Sequence, residues 1–386
     1  MIRRLGDIAS FRRGLTYSKG DEAPLSNKRV LRSNNIDLES SSLDLSEIKY
    51  LREDFVIPEE RKLVANSIFI CMSNGSKQHV GKVAFIPEDM DYAFGGFMGL
   101  IVPSSEVSAK YVFYACQSSA YRSFLSQVGN GIGITNLRFS DLEKFEFPVP
   151  SLAEQQRIVA ELDLLSSIVE KKNAQLQIMS NLEQSIFNEM FGEPDSSPFP
   201  VFKLSQLSQH KLSYGSGASA VEYNGDVRYV RITDIQDDGT LTANSMSPDS
   251  YDEKYLLHQG DILFARSGAT VGKTFLYNQR DGKSIYAGYL IRFVPNVNVV
   301  YPEYIYHFTR SQYYKAFIRA NAQAVAQPNI NAQQYGNLKV CVPPMDLQRE
   351  FVERVASIDR QKATIRLSIK TAQSLLASRL DNYFNV

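Results

Sequence analysis

The stretch Ser267-Gly268-Ala269-Thr270-Val271-Gly272-Lys273-Thr274 brings together glycines, hydroxyls and a lysine, the residue types that cradle phosphate. A P-loop needs four residues between its glycines, so that successive amides wrap the phosphates, and a helix behind it. Here three residues separate Gly268 from Gly272, and Phe275-Leu276-Tyr277 reads as a strand. A turn between strands carrying an exposed lysine is the expected structure. Gly129-Asn130-Gly131-Ile132-Gly133 is a second glycine-rich loop, but no strand precedes it as a dinucleotide site requires.

Other reactive residues are scattered. His79, His210, His258 and His307 occupy unrelated positions, and Cys71, Cys116 and Cys341 are odd in number with no CxxC spacing. Neither a zinc site nor a disulfide framework is suggested. No Asn-Pro-Pro-Tyr or Asp-Pro-Pro-Tyr of an amino-methyltransferase occurs, and no acidic-lysine nuclease constellation recurs. We therefore expect no catalytic residues, no cofactor and no metal: a chain that binds.

The 386 residues, 44% hydrophobic and 22% charged, suffice for two domains with separate cores. The first residues lack the apolar stretch of a signal peptide, and no run approaches the roughly 18 apolar residues that span a bilayer. Neither export nor membrane insertion is expected, and a cytoplasmic location is. Lys plus Arg equals Asp plus Glu at 42 each, which weighs against nucleic-acid binding, because such domains usually carry a visible basic excess.

What must position any binding residues is an internal repeat with a period of about 193 residues. Phe147-Pro148-Val149-Pro150-Ser151-Leu152 with Gln155, Ile158 and Val159 matches Cys341-Val342-Pro343-Pro344-Met345 with Gln348, Phe351 and Val352. Upstream, Val80-Gly81-Lys82 matches Val271-Gly272-Lys273, Ile68-Phe69 matches Ile262-Leu263, Ser118 to Tyr121 matches Ser311 to Tyr314, and Leu31 to Ile36 matches Val230 to Ile235. Order is kept while identity is low, so one fold with two different surfaces is expected.

Each copy begins with about 150 residues of short β-branched and aromatic runs, punctuated by Gly, Pro, Asn and Ser and holding a few helices. It ends in a long helix. Ile158, Leu162, Leu165, Val169, Leu176, Met179, Ile186 and Met190 follow the alternating spacing of a coiled-coil seam, interrupted by Lys172 and Glu183. The second copy gives Phe351, Val355, Ile358, Ile365, Ile369, Ala372, Leu376 and Tyr383, interrupted by Lys362 and Arg379. A helix over residues 152–191 runs about 60 Å at 1.5 Å per residue. Two such helices can pair antiparallel, giving an approximate two-fold axis; the alternative is that each packs only on its own domain. The expected fold is α+β: mixed domains at 1–150 and 194–343, with helical regions at 151–193 and 344–386.

The strand-Pro-Leu-Gln-helix junction from Phe147 to Ile158, echoed from Val340 to Phe351, resembles type I restriction-modification specificity subunits along essentially the whole chain. Asn136-Leu137 with Asp141-Leu142, echoed by Asn329-Ile330, is also similar; Leu347 and Tyr335 depart from the family pattern. The resemblance implies a non-catalytic subunit with two target-recognition domains that reads a bipartite site on double-stranded DNA. It further implies helices that set the unspecified gap and dock two methyltransferase subunits, through which restriction subunits join. Such partners can supply much of the phosphate grip that the neutral charge leaves out. The alternative is a duplicated-domain adaptor, or an orphan DNA-binding relative without restriction partners.

On that reading, DNA readers are sought among polar and basic residues in turns following strands. These are Arg12, Arg13, Arg32, Ser73, Asn74, Lys77 and Lys82 in the first domain, and Arg231, Arg266, Ser267, Thr270 and Lys273 in the second. Arginine pairs with guanine and Asn with adenine, whereas Lys82 and Lys273 are expected to hold phosphate. Tyr17 and Tyr214 lie in Gly-Ser-rich loops, where core packing is expected over stacking on a base.

Overall fold

Short strands bounded by turn residues form a four-stranded sheet in each half of the chain in a computed structural model that describes residues 1–128, 135–322 and 328–385. The chain divides into two compact units, Met1–Asn173 with Leu367–Val386, and Ala174–Arg366. Each therefore holds one globular domain together with half of each long helix.

In the first unit a four-stranded antiparallel sheet runs in the order Ala9–Arg13, Met98–Pro103, Ser67–Cys71, Val83–Ile86. Ser67–Cys71 is buried at every residue, because it is central and covered on both faces, so its sequence does not alternate. A five-stranded sheet beside it includes the parallel pair Lys28–Leu31 and Met90–Phe94. In the second unit the four-stranded order is Ser213–Tyr214, Leu290–Phe293, Ile262–Ala265, Thr274–Leu276, and Arg228–Val230 lies parallel to Ser284–Tyr286. The four-stranded order and the parallel pair thus appear twice, while two separate two-stranded sheets stand in the second unit where the first has five strands.

Both long helices are 40 residues, Leu152–Phe191 and Met345–Phe384, each starting just past a proline. Buried glutamines fasten each helix to its domain. Gln155 Oε1 accepts from the Ser108 amide at 2.8 Å, while its Nε2 donates to the Pro150 carbonyl at 2.9 Å. Gln348 repeats this with the Tyr301 amide at 2.9 Å and the Pro343 carbonyl at 2.8 Å.

Within each unit the two helices run antiparallel. In the first, Glu161 meets Arg379 at 2.9 Å and accepts from the Tyr383 hydroxyl at 2.7 Å. In the second, Lys362 donates to both carboxylate oxygens of Glu183, at 3.0 and 2.8 Å, with both side chains buried. Three of the four polar interruptions of the seam are thus ion-paired between helices. Along the seam Ile158, Leu162, Leu165, Phe351, Val355, Ile358, Ile365 and Ile369 are buried, whereas Val169, Leu176, Met179, Ile186 and Leu376 are half-buried.

At the C-terminal ends the buried positions differ from the heptad reading. Phe187 and Phe191 are the fully buried residues in the second core, with Ile186 and Met190 packed partly buried against it, and Leu380 and Phe384 fill the first, with Leu376 and Tyr383 packed against it. An α-helix drifts by about 20° per heptad against a 3.5-residue repeat, and these last turns pack on a domain as well as on a helix. The Phe191 ring lies 5.0 Å from Tyr304 and the Phe384 ring 4.9 Å from Tyr111, the same contact in both copies.

Candidate nucleic-acid interface

The phosphate-cradle look-alike is a structural turn. Gly268–Thr270 forms one turn of 3-10 helix before the strand Thr274–Leu276. Its amides are already bonded: Gly268 to the Pro328 carbonyl at 3.1 Å, Gly272 to Ala265 at 3.0 Å, Lys273 to Thr270 at 3.0 Å. Gly272 is required, since its φ is +89° and a Cβ would sit 2.9 Å from Ile318. The Gly129–Gly133 loop lies outside the described residues.

The expectation that the repeated lysines are exposed phosphate contacts is corrected. Lys82 is 4% exposed and donates to the Ile36 carbonyl at 2.7 Å; burial lowers its pKa. Lys273 is half-buried, reaches the equivalent Ile235 carbonyl at 3.4 Å and pairs with Asp237 at 2.8 Å. Each ties its turn to the loop after the parallel strand. Replacing Lys82 with Met should cost about 1–3 kcal/mol, by stranding a carbonyl that had a charged partner. Thermal unfolding reads that loss, and the salt slope of DNA binding should stay as in the parent, whereas loss of a phosphate contact would reduce it by about 1.

The remaining candidates fall into three situations. Arg231 is held by Asp234, with bonds of 3.0 and 2.7 Å, and Thr270 donates to the Ser267 carbonyl at 3.1 Å, so both fix their own turns. Lys77 is exposed and Arg12 half-buried. The others converge on one turn in each unit.

In the first unit Ser73 bridges to Asn136, and the Asn74 side-chain amide donates to the Ser33 hydroxyl at 2.9 Å. The amides of Met72 and Ser73 donate to the Phe97 carbonyl at 2.9 and 3.1 Å. A Cβ on Gly95 would lie 3.7 Å from Tyr17 and 3.9 Å from Arg32, so both reach this turn. Arg13 pairs with Gly99 on the adjoining strand, its carbonyl accepts from Arg61, and Arg32 makes a loose 3.7 Å pair with Glu47.

In the second unit Ser267 bridges to Asn329, and the Arg266 amide donates to the Tyr289 carbonyl at 3.1 Å. The Arg266 guanidinium sits 4.7 Å from the centroid of the Tyr214 ring and donates to Asn329 Oδ1 at 3.2 Å. The Tyr214 hydroxyl accepts from the Ala332 amide at 3.0 Å, and Tyr214 is 42% exposed rather than packed in the core. A Cβ on Gly14 or Gly215 would meet a backbone carbonyl oxygen at 2.0 or 2.3 Å, so glycine is required beside both clusters.

Two aromatics at equivalent turns were missed by the sequence reading: Phe97, 72% exposed, and Tyr289, 62% exposed. The available signal was a glycine followed by an aromatic just before the strand at Met98 or Leu290, in Gly96-Phe97 and Gly288-Tyr289. Arginine, asparagine, serine and an exposed ring are the groups that read base edges, hold phosphate and stack.

The three cysteines and His307 are buried, whereas His210 and His258 are exposed. Burial pushes the thiols of Cys71 and Cys116 up to about 11 and about 12, and holds His307 neutral, with a pKa of about 3. Among the described residues no cluster of ligands could hold a metal ion, and no helix is long and apolar enough to cross a membrane.

The profile of the family described as "Type I restriction modification DNA specificity domain" matches residues 1–178 and 198–372. The StySPI specificity subunit of Salmonella potsdam is 26% identical, covering 95% of this chain and 83% of that protein. The EcoKI specificity subunit of Escherichia coli K12 is 25% identical, covering 96% and 84%. Among solved structures, the type I restriction-modification S subunit from M. genitalium aligns over 100% of this chain and 96% of its own, with a TM-score of 0.53 at 15% identity.

Proposed function

The chain belongs to the type I restriction-modification DNA specificity family, and from that premise we propose that it reads a bipartite site on double-stranded DNA, one half-site per unit. It is a non-catalytic subunit, methylation and cleavage being the work of the methyltransferase and restriction subunits of such systems. We infer that it docks two methyltransferase subunits, and restriction subunits through them, in the cytoplasm, and that the paired helices set the unspecified gap.

The observation that carries the reading is one turn presented twice with different side chains. A Ser–Asn bridge and an exposed aromatic recur, but Met72 stands where the second copy has Arg266, and Arg13 where it has Tyr214. A shared frame with exchanged side chains is what two different half-sites require. The neutral net charge fits a protein that reads base edges while its partners grip phosphate.

The test is adenine-methylation mapping in cells that express the chain with a type I methyltransferase partner, against cells with the partner alone. A new two-part motif only when both are present supports the reading; a stable complex with no motif favours an adaptor. Arg266→Ala should relax one half of that motif by about 10- to 100-fold, the worth of a good bidentate base contact, and Phe97→Ala should affect only the other half. A variant that altered both halves equally would argue against one half-site per unit.

A further inference from the structure

We propose that the Glu183–Lys362 pair decides which helices of this chain can pair, admitting the first long helix only against the second and rejecting like with like. This stands apart from the DNA reading. The two helices are related by the offset that carries Leu152 to Met345, and their apolar seams are nearly interchangeable: Ile158 answers Phe351, Leu162 answers Val355, Leu165 answers Ile358. Apolar burial therefore does not distinguish them, and the first helices of two chains could pair antiparallel along the same stripe.

One buried level of the seam is not interchangeable, the other ion pair between the helices, Glu161 with Arg379, being partly exposed. Glu183 faces Lys362, both buried and joined by bonds of 3.0 and 2.8 Å, whereas by the same offset their counterparts are Leu376 and Val169. Two first helices would set Glu183 against Val169 twice over, and two second helices would set Lys362 against Leu376 twice over. Either arrangement buries two charges without partners, which is far more costly than burying a bonded pair. One polar pair in an apolar seam selects register and partner in this way.

A full-length chain carrying Leu176→Cys tests it. When two first helices pair with Glu183 set against Val169, Leu176 falls midway between them and so meets its own copy. The native cysteines are buried, and peptide mapping assigns any cross-link. The chain is unfolded, refolded and oxidised in the otherwise native background, with Glu183→Leu/Lys362→Leu, and with the charge swap Glu183→Lys/Lys362→Glu. The expected result is a dimer, disulfide-linked through the two introduced thiols, at least about tenfold more abundant with the leucine pair than in the native background. The swap, which keeps complementarity and controls for altered folding, should give no gain. Equal dimer in all three chains, or none with the leucine pair, overturns the proposal.

Discussion

Replacing Lys362 with Met is expected to cost about 3–5 kcal/mol near neutral pH, the usual cost of leaving one member of a buried ion pair without its partner. Methionine keeps most of the volume, so the loss comes from the charge on Glu183, whose carboxylate has both oxygens on Lys362. Burial already raises the Glu183 pKa above the usual carboxylate value, against the pull of Lys362; removing the lysine raises it further. The folded protein then holds a proton that the unfolded chain has released, so stability falls as pH rises from the usual carboxylate range through the raised folded value. The deficit should be greatest at neutral pH and shrink on acidification. Urea unfolding of parent and variant across that range measures it, and a deficit independent of pH would refute the electrostatic origin. Adding Glu183→Leu should recover most of the loss, since an apolar pair of similar volume often replaces a buried ion pair at little cost.

The repeat, the proline-started helices and the mixed domains were legible because they rest on spacing. Matched motifs at a constant offset signal one fold twice, and a 4-then-3 apolar pattern signals a helix seam. Long-range partners were not legible. Lys82 and Lys273 look like solvent groups in a glycine-rich turn, yet their ammonium groups are bonded to carbonyls 46 and 38 residues away in the chain. Glu183 and Lys362 look like two separate faults in the seam until antiparallel pairing brings them together, 179 residues apart.

The turns proposed to read DNA show the same limit. Ser73, Asn74, Arg266 and Ser267 are candidates from sequence because they follow predicted strands. Tyr214 was assigned to the core because tyrosine usually packs, but Gly215 lets its loop run against a neighbouring backbone and leaves the ring outside beside Arg266. Phe97 and Tyr289 each precede a buried strand, and the tight turn that bonds their carbonyls inward leaves the rings at solvent.

Phe384→Ala is expected to cost about 3–5 kcal/mol, the range for a fully buried phenylalanine whose site collapses only partly. Its ring packs on Tyr111 at 4.9 Å and Phe147 at 6.5 Å, in a core shared with Ile158, Leu162 and Leu380. All of these belong to the first unit, so the loss should stay there. Hydrogen exchange should show residues 367–385 and the helix Ala109–Ala115 losing protection while Ala174–Arg366 keeps it. Phe191→Ala is the equivalent change in the second unit, and its cost should be at least as large, because Phe187, Phe199, Tyr304 and Phe351 all lie within 6.4 Å of that ring. If each unit reads its own half-site, Phe384→Ala should blur one half of the methylated motif and Phe191→Ala the other. Equal loss of protection in both units from either variant would mean that the long helices transmit disorder along their length, and independent recognition by the two units would have to be abandoned.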